Sequence, residues 1–157
     1  MEKRLLPSHA MAGWALLLVT LAASPASRAE LGGDVASIAR DHETLRATDT
    51  VTSTVLYDMH EAESPTGVRV RQYVDRASGK VFALTWQGPR LPDVNALLGA
   101  YASRYQAAAK EHHGSHHALS IDDPDLKVSV LRLQRGWQGD AYLPNAIPQG
   151  VNRAELR

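Results

Sequence analysis

The chain contains no cysteine. That excludes disulfide scaffolds, thiolate zinc sites, iron–sulfur clusters, covalently attached haem, a lipid-anchoring cysteine and a thiol nucleophile. It also lacks an excess of charge of either sign, with 17 Lys+Arg against 17 Asp+Glu and no basic run. Nucleic acid and anionic membranes attract proteins mainly through cations that displace counterions, so nucleic acid is not an expected partner. Large rings are few, with three Trp, five Tyr and one Phe. Also missing are a Gly-x-Ser-x-Gly elbow, a His-Glu-x-x-His pair and a phosphate-cradling glycine loop after a strand. What is present, 157 residues with 44% apolar and 22% charged, is the composition of a single globular domain.

The N-terminus reads as an address. Lys3 and Arg4 precede an uncharged run, Ala10 to Ala23, of 14 residues. At about 1.5 Å per residue this run covers roughly 21 Å, short of a hydrocarbon core of about 30 Å. Pro25 breaks the run, and Ser27-Arg28-Ala29 places small residues where a signal peptidase needs them. The expectation is a signal peptide over residues 1–29, cleavage after Ala29, and a mature domain over 30–157 that is periplasmic or secreted and has no stable membrane anchor. The mature part holds 128 residues with 14 cations against 16 anions. That length supports a core without disulfides.

Along the mature chain, Asp34 with Val35, Ile38, His42 and Leu45 predicts a short amphipathic helix, with His42 on its apolar stripe. Val51 to Tyr57 predicts a strand and Glu61 to Gly67 a loop. Val68, Val70 and Val74 alternate with Arg69, Arg71 and Tyr73, and the Asp75–Lys80 turn returns the chain into Val81–Trp86, which predicts a hairpin. Pro92 and Asp93 open the main helix, which the spacing of Val94, Leu97, Leu98, Tyr101, Tyr105 and Ala108 carries to about residue 110. Gly99 within it predicts close approach to a sheet. Leu119–Ile121, a tight turn over Asp122–Asp125, Leu126–Leu133 and a short Ala141–Leu143 strand follow, with an irregular tail. Helical and strand periods are segregated, so the expected fold is α+β: a short N-terminal helix and an antiparallel sheet of about five strands with one main helix packed on it.

Several motifs taken together carry a resemblance. They are Leu31-Gly-Gly33, Gly67-Val-Arg-Val-Arg-Gln-Tyr73, Gly79-Lys-Val-Phe-Ala-Leu-Thr-Trp-Gln-Gly-Pro89, Pro92-Asp93, Leu97-Leu-Gly-Ala-Tyr101, Gly139-Asp-Ala-Tyr-Leu-Pro144 and Pro148-Gln-Gly-Val151. Over nearly the whole mature chain the sequence resembles an exported proteobacterial family of uncharacterised proteins, domain of unknown function 2844. The resemblance implies export and a single domain, and brings no activity, cofactor or catalytic residue. The His-rich stretch departs from the family pattern, in which that segment is variable and often Gly-rich.

Three kinds of chemistry stand out. His112, His113, His116 and His117 lie within six residues and offer imidazoles to Zn, Cu or Ni, or form a solvated polar linker. Asp122, Asp123 and Asp125 surround Pro124 and read as a turn, because a calcium loop needs more widely spaced ligands. Arg69, Arg71 and Tyr73 share a strand face, and with Trp86, Trp137 and Tyr142 they are the candidate partner-binding residues, weighed against a charged outer face and ring packing. No catalytic residue and no cofactor is expected. The leading reading is a non-catalytic cell-envelope accessory protein that binds a protein, peptide or glycan; the alternatives are a periplasmic hydrolase with dispersed acid and base residues, or metal binding through the His112–His117 cluster.

Overall fold

A computed structural model describes residues 30–34, 38, 48–111 and 118–156. The expected signal peptide, all of the N-terminal helix except Ile38, and the His112–His117 cluster lie outside the described residues.

Seven strands form one antiparallel sheet: β1 (Thr48–Ser53), β2 (Tyr57–Glu63), β3 (Arg69–Asp75), β4 (Val81–Gly88), β5 (Ala118–Asp122), β6 (Lys127–Leu133) and β7 (Gly136–Tyr142). Their order across the sheet is β1-β2-β3-β4-β7-β6-β5. The first four make a meander. Helices α1 (Val94–Leu98) and α2 (Ala102–Glu111) then carry the chain over one face to the far edge, and β5, β6 and β7 fold back inward until β7 closes on β4.

The α+β class and the antiparallel sheet agree with the sequence reading; the count of about five strands is corrected to seven. The stretch expected to be one strand, Val51–Tyr57, turns in its middle, where the Thr54 hydroxyl donates to the Tyr57 carbonyl (2.7 Å). Residues 61–63, expected in a loop, continue β2, and β7 starts five residues earlier than expected. The main helix is also interrupted. Gly99 adopts φ +52° and begins a single 3-10 turn, and a Cβ there would collide with the Glu30 side chain, so its bareness accommodates the N-terminal segment rather than the sheet.

The local signals that matched did so for identifiable reasons. The Asp75 carboxylate accepts from the backbone N–H groups of Ala77 (3.1 Å) and Ser78 (3.0 Å), and Gly79 takes φ +68° to complete the hairpin turn. Hydrogen bonds to this turn, that of the Ser78 hydroxyl first, hold the Asp75 carboxyl below its usual range. Asp93 caps α1 by accepting from Ala96 N–H (3.1 Å). The acids of the Asp122–Asp125 turn are paired with cations, Asp122 with Lys127 and Asp125 with Arg104 (2.7 Å).

Alternation gives the sheet two different faces. On the helix face, Val74, Val81, Leu84, Trp86, Val128, Val130 and Ala141 pack against Val94 and Leu98, with Leu31 and Ile38 closing the cluster. Leu31 is pinned there by its N–H to the Leu97 carbonyl (2.9 Å), and Gly32 N–H reaches Val81 (2.8 Å). Each large side chain so buried contributes roughly 1.5–3 kcal/mol. The second face holds a smaller cluster of Tyr73, Phe82, Ala83 and Tyr142, covered by Leu156 from the C-terminal tail. A bulge makes this possible: Tyr73 pairs with Ala83 but Val74 with Val81, leaving Phe82 as the extra residue. Phe82 and Ala83 therefore both serve the tail face.

Candidate functional site

Beyond the Tyr73–Tyr142 cluster the tail face turns polar. Cross-strand pairing lines up two rows on it. Glu61, Arg71, Thr85, Asp140 and Ser129 form one, and Glu63, Arg69, Gln87, Gln138 and Leu131 form the next. Over their middle opens a groove of about 680 Å³, with Arg69, Arg71, Thr85, Gln87, Gln138 and Asp140 on its floor and Arg153, Ala154 and Leu156 of the tail along its wall. A shallower hollow of about 370 Å³ continues from it past Arg69, Gln87 and Gln138 to Gly88, Pro89 and Arg135.

The charges of the groove neutralise one another. Arg71 Nε donates to Glu61 Oε2 (2.5 Å), and Arg69 spans Glu61 Oε1 (3.3 Å) and Glu63 Oε2 (3.0 Å). Arg153 lies 3.8 Å from Asp140, and its guanidinium sits 4.5 Å above the Tyr142 ring. Burial pushes the Asp140 carboxyl above its usual range, and the Arg153 charge opposes the shift. The Tyr73 phenol is likewise raised by burial, against the pull of Thr85 and Arg71. Three guanidiniums facing three carboxylates leave little net charge, so the floor presents donors and acceptors, including the exposed Gln87 and Gln138 carboxamides. Such a surface matches the hydrogen bonds of an uncharged polar ligand.

Of the six candidate binding residues, the fold gathers four. Arg69 and Arg71 form the floor, Tyr142 marks the groove's inner end, and Tyr73 is buried beside it as support. Trp86 lines the groove and Trp137 the shallower hollow, but their rings pack on the other face. The Trp86 ring is 2% exposed in the main core, over Gly139, and Trp137 packs against that core with Arg132 5.6 Å from its ring. Sequence reasoning missed Thr85, Gln87, Gln138, Asp140 and Arg153. Thr85 and Gln87 were available from alternation along β4, but Gln138 and Asp140 fall in the part of β7 hidden behind two glycines. Among the described residues no three His, Cys, Asp or Glu side chains converge as a metal site.

No curated protein and no solved structure matches the chain. A family model does, over residues 27–156, and it ends at Leu156, the residue that seals the tail onto the sheet. The chain therefore belongs to the family described as Protein of unknown function (DUF2844).

Proposed function

We propose that this chain is an exported, non-catalytic accessory protein of the cell envelope that holds a peptide segment in the tail-face groove. The observation that carries this reading is the mutual pairing of the groove's charges. Each arginine is held by a carboxylate, so the site offers rigid recognition groups rather than a free acid facing a free base. The Gln87 and Gln138 carboxamides match the donor and acceptor of a peptide unit. A glycan fits less well, because the Tyr142 ring at the groove already carries Arg153 on its face and the Trp86 ring is buried in the core. Export rests on the short apolar run and the Ser27-Arg28-Ala29 site, and places the mature domain in the periplasm or outside the cell.

A photo-reactive residue substituted at Gln138 tests both parts. Cross-linking in intact cells is expected to give a peptide or protein adduct on a species whose intact mass begins at Glu30. The adduct should disappear in the Thr85→Val and Asp140→Ala backgrounds. A full-length membrane-bound species defeats export; no adduct at Gln138 or Gln87, or turnover of a small substrate, defeats the binding reading.

A further inference from the structure

The fold collects at one end of the sheet a set of residues that the sequence scatters. β4 finishes and β7 begins there, Gly88 paired with Trp137, and the β6–β7 turn folds so closely on the chain leaving β4 that a Cβ on Gly136 would strike the Gly88 carbonyl and approach Pro89. Arg90 and Leu91 follow Pro89, and the opposing turn contributes Leu131, Arg132, Leu133 and Arg135. Leu131 and Leu133 are 44% and 47% exposed, and all three arginines lie at the surface. The segments 87–92 and 130–138 contain no acid, and the carboxylates nearest in sequence are engaged, Asp93 as the cap of α1 and Asp140 beside Arg153 (3.8 Å). Arg132 lies beside the Trp137 indole on the helix face, while the pairing of Leu131 with Gln138 and Leu133 with Gly136 puts both leucines on the tail face.

We propose that this basic and apolar end docks reversibly on an anionic lipid bilayer. Cations that project beside exposed leucines and an aromatic ring match the layering of a membrane interface, where phosphates lie above acyl chains. At the opposite end of the sheet the cations stand among acids: Asp122 and Asp125 pair with Lys127 and Arg104, and Arg76 lies 3.7 Å from Asp58. A flat protein partner is a poorer fit, because the groups come from both faces and converge on an edge. This end adjoins the shallower extension of the groove at Leu133 and Arg135, but the inference does not rest on the groove's ligand. It revises one expectation from composition, since a chain of zero net charge still presents three arginines together once folded.

The absence of cysteine makes the test direct. In the full chain, Leu133→Cys carries an environment-sensitive fluorophore, and Val55→Cys, in the β1–β2 turn at the far end, carries it as the control. The probe at 133 is expected to shift to the blue on phosphatidylcholine vesicles containing phosphatidylglycerol, to stay unshifted on pure phosphatidylcholine, and to lose its shift in high salt. The probe at 55 should not respond. Changing Arg90, Arg132 and Arg135 to Gln should weaken the preference for anionic vesicles about fivefold per arginine, the equivalent of about 1 kcal/mol each. An equal shift on both vesicles, an equal shift at both positions, or no shift at 133 would overturn the proposal; the last result would leave an acidic protein as the occupant. Because the comparison is between two positions and two lipids, attachment through residues 10–23 does not imitate the expected pattern.

Discussion

Trp86 and Gly139 are directly paired across β4 and β7, and the indole of the first lies where a side chain of the second would stand. The glycine is therefore a receptor for the ring, at a position in a central strand where its flexibility would otherwise weaken the sheet. Gly139→Ala is expected to cost about 1–3 kcal/mol through overpacking. Trp86→Ala should cost about 3–5 kcal/mol. Combined in one chain the two should cost less than their sum, because removing the ring relieves one of the two obstacles to the new methyl and leaves the Ser129 carbonyl (2.5 Å) as the other; denaturant melts of the four proteins check this.

Asp140 gives a pH signature. Its folded pKa is raised, so the native state holds the proton more tightly than the unfolded chain does. Its contribution to stability is complete below the ordinary Asp range and is lost as pH rises through the higher folded value. Asp140→Asn should thus raise the melting temperature at neutral pH, and the gain should vanish in acid. The same change should weaken ligand capture in the groove. A variant less stable at neutral pH than the parent would contradict this account.

The tail is held by two unequal contacts. Leu156 is buried against Tyr73, Phe82 and Tyr142, and Leu156→Ala should cost about 2–3 kcal/mol. Arg153 is exposed, so Arg153→Gln should cost under about 1 kcal/mol. Yet it should raise the Asp140 pKa further, because the opposing charge is gone. Chemical denaturation measures the first pair of effects, and carboxyl titration by NMR the second.

The His-rich segment is expected to be dispensable for folding. A structural metal adds its binding free energy to stability, so chelation would lower the melting temperature if the four imidazoles held one. Thermal melts with and without chelator should coincide for the parent, and for the variant with His112, His113, His116 and His117 changed to Ala. A chelator-sensitive parent and an insensitive variant would make metal binding the better reading.

What the sequence made legible was local. The β3–β4 hairpin is written in the alternation of Val68, Val70 and Val74 and in the Asp75–Gly79 turn, and the start of the helix in Pro92 and Asp93. β2 was hidden because Tyr57-Asp-Met-His-Glu-Ala-Glu63 has no apolar alternation; its outward face is held by ion pairs to Arg69 and Arg71 on the neighbouring strand. β7 was hidden because Gly136 and Gly139 look like breakers, and their reason lies in Gly88 and Trp86, distant in sequence. The same long-range pairing decides which of Trp86, Trp137, Thr85 and Asp140 share a face. Alternation along β3 alone therefore reveals Arg69, Arg71 and Tyr73, whereas Arg153 of the tail carries no such signal, and the rings of the two tryptophans expected beside them turn to the other face.

The position of β4 between β3 and β7 has a consequence for how the molecule assembles. One of its edges is satisfied almost at once by a short turn to β3; the other must wait until the helices and the β5–β6 hairpin have emerged. Until then the most apolar strand of the chain, with Val81, Phe82, Leu84 and Trp86, presents a row of unpaired backbone groups. Such an edge is a template for pairing with another copy, and its late closure makes folding slow relative to a protein of local contacts. Refolding at high protein concentration should therefore lose material to aggregates seeded at β4, and a truncated chain that ends before Gly136 should be insoluble even though it keeps an intact four-stranded meander.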